Sequence, residues 1–226
     1  VTQPIRDPAA SLKAILFDYG MVLSGPPRPA AWATMQRLTG LDEVRLHAAY
    51  WAPRLDYDRG IHTGSTYWRA VGEYASLALD DDAVQALLAA DNALWTQPNQ
   101  PMIDWALRLH AAGTSTGILS NLGDRMTAGV LQAFPWLADF THRTWSHTLL
   151  LTKPDPAIYA HAAEGLAVPP GSILFIDDRE DNIAGGQAAG MQTIRYTGQT
   201  AFEEEMEGRG WGGLWRTGRL PDQPAQ

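Results

Sequence analysis

Five short apolar runs punctuate the chain at Ala14–Phe17, Thr116–Leu119, Phe140–Trp145, Ile173–Ile176 and Thr193–Tyr196, the third being the weakest pattern. Each lies between polar stretches with helical periodicity, which predicts parallel strands covered on both faces. Strands alternating with helices predict an α/β fold built on an open, doubly wound parallel sheet. The rhythm breaks between the first two runs. From Pro26 to Pro98 only helical signals occur. Val84, Leu87, Leu88 and Leu94 share one face of a helix that Asp80 caps, and Thr63–Ala75 offers Tyr67, Trp68, Val71 and Tyr74 at similar spacing. A βα connection is normally only a few residues long. The chain is therefore expected to divide into a discontinuous core, residues 1–26 and 98–226, and an inserted all-helical domain, residues 27–97. Pro26-Pro27 and Gln97-Pro98-Asn99 read as its hinges, and Pro221–Gln226 as a disordered tail.

Composition removes several functions. The 226 residues carry a net charge of −8 and no cysteine. Disulfides, thiolate zinc sites and a Cys nucleophile are excluded, and the acidic balance argues against binding nucleic acid. Lysine occurs only at Lys13 and Lys153, and neither sits in the Gly-Lys-Ser/Thr context of a triphosphate-binding loop. No run is apolar and long enough to span a bilayer, and the first residues lack the basic-then-apolar order of a secretory signal. The expectation is a soluble cytoplasmic monomer or homodimer with no membrane partner.

Three of the predicted strands end in useful chemistry: Asp18 after the first, Ser120-Asn121 after the second, and Asp177-Asp178 after the fourth. Singly, each is as well explained as a turn or helix-cap residue. Jointly they matter, because ligands in open α/β sheets bind outside the carboxyl ends of the strands. Three carboxylates in one cleft repel each other unless a cation compensates, and oxygen ligands without His or Cys favour Mg²⁺. Such a site can hold a phosphoryl group while one carboxylate attacks phosphorus. A hydroxyl and a lysine would bind the remaining phosphoryl oxygens. Lys153, followed by Pro154 and Asp155 at a helix start, supplies the lysine.

Four segments in order, Asp18-Tyr-Gly-Met-Val, Leu119-Ser120-Asn121, Lys153-Pro-Asp-Pro-Ala-Ile-Tyr159 and Asp177-Asp178-Arg-Glu-Asp-Asn182, resemble the motifs of the haloacid dehalogenase superfamily. The resemblance covers Lys13 to about Tyr196. The helical insert after the first motif, with Tyr57-Asp58-Arg59-Gly60-Ile61 and Tyr67-Trp68-Arg69, is similar to the cap of its sugar-phosphatase and epoxide-hydrolase-like branch. The resemblance implies a Rossmann-like core under that cap and an Mg²⁺-dependent phosphatase for small phosphorylated metabolites, sugar phosphates first. Asp18 would be the nucleophile and a metal ligand, with the Gly20 carbonyl, Asp178 and, through water, Asp177 completing the metal set. Ser120 and the Asn121 amide would bind phosphoryl oxygens, Lys153 would bridge phosphate and nucleophile, and Asn182 would support the last loop. Arg59 and His62 of the cap would contact substrate.

One position departs from the pattern. Phosphatases of this family usually place a second Asp two residues after the nucleophile as general acid and base, and here that residue is Gly20, as in some phosphatases of the resembling branch. Good leaving groups would need such an acid least, and His62, Asp58 and Tyr67 are the cap candidates to replace it. Two other readings are carried: a 2-haloacid dehalogenase, and a weakly catalytic phosphate-binding or regulatory protein. The paired Asp177–Asp178 disfavours the dehalogenase, which needs no metal. Among decoys, Gly113-Thr114-Ser115-Thr116-Gly117 matches a nucleophile elbow but has its helix before and its strand after, so it reads as a helix stop. Gly185 and Gly186 read as close-packing residues within a helix, and no His pair has zinc-site spacing. Trp211 and Trp215 suit either a core edge or a dimer contact, and Lys13 reads as a solvated surface residue.

Overall fold

The computed structural model describes residues 12–220, so the expected tail at 221–226 and the leading segment lie outside the described residues. Five parallel strands form one sheet: β1 (Ala14–Phe17), β2 (Ser115–Ser120), β3 (His142–Trp145), β4 (Ile173–Asp177) and β5 (Gln192–Arg195). Their order is β3-β2-β1-β4-β5. The third element is shorter than its apolar run because Pro135–Asp139 forms a 3₁₀ turn and Phe140 serves the core instead. β1 lies at the centre, with Leu16 opposite both Gly117 and Phe175 and all four residues fully buried. Strand order reverses between β1 and β4, which opens a crevice at their carboxyl ends.

Helices fill both faces of the sheet and the long interval after β1. That interval holds α1 (Pro29–Thr39), α2 (Glu43–Trp51), α3 (Arg54–Arg59), α4 (Gly64–Tyr74) and α5 (Asp81–Leu94). Asp80 caps α5 by accepting from Ala83 N at 2.8 Å, and Val84, Leu87, Leu88 and Leu94 are buried. On α4, Tyr67, Trp68 and Val71 are buried while Tyr74 is 62% exposed. The apolar stripe outlasts its neighbours there, because Tyr74 is the last residue of the helix. The chain enters and leaves this helical unit along two adjacent segments. Ser24 and Pro98 form an antiparallel bridge, flanked by Gly25 N donating to Gln97 O at 2.6 Å and Asn99 N to Leu23 O at 3.0 Å.

The remaining helices are α6 (Gln100–Ala111), α7 (Asp124–Ala133), α8 (Ser146–Leu149), α9 (Pro156–Leu166), α10 (Glu180–Ala188), α11 (Gln199–Gly208) and α12 (Gly212–Thr217). α6 stops at Gly113, whose φ of +74° suits glycine, and β2 begins two residues later. The elbow-like stretch is therefore a helix stop. A Cβ at Gly185 would lie 2.6 Å from Tyr159 Oη, and one at Gly186 would lie 2.7 Å from Phe175 Cδ1. Those two glycines let α10 approach α9 and the sheet. Trp211 is buried, and Trp215 packs its ring 5.2 Å from Trp105 and 5.4 Å from Phe202. Both rings therefore pack at a core edge. Lys13 is exposed, as expected. No described helix is long and apolar enough to cross a membrane.

Candidate active site

Asp18 continues directly from the buried β1, and its main-chain N–H donates to Ile176 O at 2.8 Å on β4. That bond fixes where the side chain starts. The chain then turns sharply through Tyr19–Leu23, with Gly20 extended at φ −62°, ψ 131° and Met21 left-handed at φ +59°. Across the crevice, Asp177 and Asp178 close β4, and the three residues can present carboxylate oxygens all within 4.8 Å of one another. No other such acidic, His or Cys cluster occurs among the described residues.

Lys153 stands at the centre. Its Nζ lies 3.0 Å from Asp18 Oδ1 and 2.5 Å from Asp177 Oδ2, and the side chain is nearly inaccessible to water. Asn121 holds it there: Asn121 Nδ2 donates to Lys153 O at 3.1 Å, and Lys153 N donates to Asn121 Oδ1 at 2.8 Å. Asp177 also accepts from Arg179 N at 2.9 Å and Asn182 Nδ2 at 3.0 Å. Asn182 O in turn accepts from Tyr159 Oη at 2.8 Å, so the last loop is tied to α9. Ser120 is buried at the end of β2, beside the same pocket.

Burial of three carboxylates around one ammonium sets the electrostatics. Desolvation pushes Asp18 up to about 7, with Lys153 opposing and Asp177 and Asp178 adding to the rise. Asp178 is raised too, by burial and then by Asp177. Burial pulls Lys153 down, but Asp177 and Asp18 outweigh it and leave the ammonium above its ordinary value. The cluster is short of positive charge, and an additional cation would relieve it. An all-oxygen donor set of this kind suits a hard divalent ion.

A cleft of about 530 Å³ opens above these groups, between the sheet edge and the inserted helices. Asp18, Gly20, Ser120, Asn121, Lys153 and Asp178 all line it. The expected contacts from the cap are placed differently. Arg59 and His62 do not line this cleft, because α3 ends at Gly60, packed so closely that a Cβ there would meet His147 O at 2.5 Å. Tyr67 does not reach it either, since its hydroxyl is buried and donates to Tyr50 O at 2.7 Å. The residues that do line it are Trp51, Arg54, Leu55, Asp58 and Trp95. Of these, only Asp58 was singled out from the sequence. Arg54 was recoverable as the i, i+4 partner of Asp58, to which its Nε donates at 2.8 Å. Burial raises Asp58 to about 6 against the pull of Arg54. Ser146 ties this turn to the core by donating to Asp58 O and accepting from Leu122 N at 2.9 Å.

Comparison with known proteins matches residues 12–190 to the family model of haloacid dehalogenase-like hydrolases. The chain belongs to that family. A phosphatase of Mycobacterium tuberculosis is 29% identical over 203 residues, covering 84% of this chain and 90% of its own. An (S)-2-haloacid dehalogenase of Burkholderia cepacia is 27% identical over 202 residues, covering 84% of each. Among solved structures, a HAD family enzyme of Bacteroides thetaiotaomicron in complex with magnesium and inorganic phosphate superposes with a TM-score of 0.70. It is 22% identical, covering 83% of this chain and 96% of its own, a likeness that concerns the fold. The α/β core of this hydrolase is thus shared with relatives of two chemistries.

Proposed function

We propose that this hydrolase is an Mg²⁺-dependent phosphatase acting on small phosphomonoesters through an aspartyl-phosphate on Asp18. The observation that carries the reading is the retained acidic trio with Lys153 between two of its members. Displacing halide from a 2-haloacid requires no metal, and two further carboxylates beside an anionic substrate would oppose its binding. A dianionic phosphoryl group faces the same repulsion, but the donor set can hold the ion that removes it.

Asp18, Asp178 and the Gly20 carbonyl would hold Mg²⁺, with Asp177 acting through bound water. When bound, the ion neutralises the repulsion between carboxylate and phosphoryl oxygens. Asp18 attacks phosphorus, and Lys153 Nζ and Ser120 Oγ steady the phosphoryl oxygens. The side chain of Asn121 is spent on the Lys153 peptide, so its main-chain N–H is what remains to face the phosphoryl group. Asp58 alone among the weighed cap acids lines the cleft, and its Oδ1 accepts from Arg54. Arg54 draws Asp58 toward its charged form, and on this reading the leaving group departs without a dedicated proton donor. The resemblance implies sugar phosphates first within this range of small esters.

The test is phosphate release from acetyl phosphate with Mg²⁺, beside chloride release from 2-chloropropionate. Phosphate release that EDTA stops is expected. Chloride release that persists in EDTA would make the protein a dehalogenase, and silence in both assays would favour a binding protein.

A further inference from the structure

The wall facing the phosphoryl site has an unusual makeup, and the following inference rests on the phosphatase reading above. The groups that would bind the phosphoryl oxygens come from the sheet edge, and the inserted helices present α2, α3 and Trp95 to the rest of the substrate. Trp51 is 44% and Leu55 55% exposed, and both line the cleft. Large apolar side chains left in water at a pocket mouth cost solvation until something apolar covers them. Apart from Asp58 Oδ2, the polar groups of this wall are paired with each other. Arg54 Nε donates to Asp58, its Nη1 to Tyr50 Oη and its Nη2 to Met126 Sδ at 3.0 Å. Trp95 Nε1 donates to Tyr50 Oη at 3.1 Å. The Arg54–Asp58 pair is neutral as a unit, so the wall offers no spare charge to a second anionic group. A sugar face could stack on an indole, yet its several hydroxyls would lose water here and find one open acceptor, Asp58 Oδ2, the other partners being taken.

The second observation lies on the opposite side of the cleft. At Gly20 a Cβ would meet nothing within 4 Å, and the backbone is one that any residue adopts. The space where an acid would stand is open rather than filled by another donor. A substrate fitting both features has a flat apolar leaving group whose oxygen departs as a stable anion.

We infer that the substrate is an aryl phosphate, its ring held by Trp51, Leu55 and Trp95. Asp18 forms the bond to phosphorus, the bond from phosphorus to the aryl oxygen breaks, and the electron pair leaves on a phenolate. Water then attacks phosphorus and releases phosphate and the Asp18 carboxylate. The proton lost by that water neutralises the phenolate, so one ester and one water give one phenol and one phosphate. This displaces sugar phosphates as the first choice of substrate.

The experiment measures phosphate release, with Mg²⁺, from 2-naphthyl, phenyl and acetyl phosphates, glycerol 2-phosphate and glucose 6-phosphate. Naphthyl phosphate should exceed the glycerol and glucose esters in kcat/KM by about a hundredfold, from the missing acid alone. Trp51→Ala should lower the naphthyl-to-acetyl ratio of kcat/KM about tenfold through KM, and the milder Leu55→Ser should lower it less. Sugar or glycerol esters turned over as well as aryl esters would overturn the inference and leave the phosphatase reading standing. So would a ratio unmoved in both variants. Release from none of the five would overturn both.

Discussion

The sheet edge and the helical wall face each other across one cleft, yet they are built on different principles. At the edge, every functional group but Lys153 lies at the end of a buried strand, so backbone hydrogen bonding fixes its position before any side chain packs. Asp18 follows β1 while Ser120 and Asp177 end β2 and β4, and Lys153 reaches Asp18, more than a hundred positions away, at 3.0 Å. The wall instead draws on the end of α2, the short α3 and the residue after α5. Its groups are apolar or mutually paired, and their placement depends on how those helices dock. The edge can carry a reaction common to many substrates, while the wall selects among them. Damage to the edge should therefore lower turnover of every substrate equally, and damage to the wall should reorder them.

Asp18→Asn breaks the edge most completely. Loss of the nucleophile should reduce phosphate release from every ester by about 10⁴-fold or more, read as kcat at saturating Mg²⁺. Lys153→Arg comes next. The ammonium fits between two carboxylates with almost no exposure, and the planar guanidinium fork cannot occupy that space in the same way. Its kcat should fall roughly 10²–10³-fold, the cost of one preorganised donor, and Lys13→Arg should be indistinguishable from the parent protein.

Gly20→Asp sharpens the contrast, since position 20 belongs to the edge but acts on the leaving group. The variant should raise turnover of alkyl phosphates by about 10²-fold and leave aryl phosphates nearly unchanged. Equal gains on both would mean that the acid was limiting everywhere. The smallest effect concerns pH. Asp18 is held up at about 7 by burial, and only its ionised form attracts the cation. Below pH 7 the apparent Mg²⁺ affinity should fall by about tenfold per pH unit for the one proton displaced, and it should level off above. Calorimetric titration of the free protein with Mg²⁺ checks the slope, which Asp18→Asn should reduce.

The same contrast explains what the sequence could reveal. β1, β2, β4 and the buried helices α4 and α5 were legible because short apolar runs and 3.6-residue stripes report burial directly. Asp18, Ser120 and Asp178 were legible because a strand end needs no knowledge of packing to point at the crevice, and Lys153 because lysine is scarce and Pro154-Asp155 mark a helix start. Arg59 and His62 looked equally suitable in the string of residues. They miss the cleft because the left-handed turn at Gly60 presses that end of α3 against α8. Arg54, one turn earlier, reaches it. Trp51 and Trp95 gave no periodic signal, since each closes or follows a helix and its exposure depends on which neighbour is absent. Asn121 illustrates a subtler loss. Its position was readable, but its side chain's exchange with the Lys153 peptide depends on two loops meeting in space.

Trapping the covalent intermediate tests the chemistry most directly. The protein, turning over acetyl phosphate with Mg²⁺, is quenched in acid, and its peptides are analysed by mass spectrometry. A phosphoryl adduct on the peptide containing Asp18, absent from Asp18→Asn, is the predicted result. Steady phosphate release with no adduct at Asp18, or with the adduct on another residue, would contradict it.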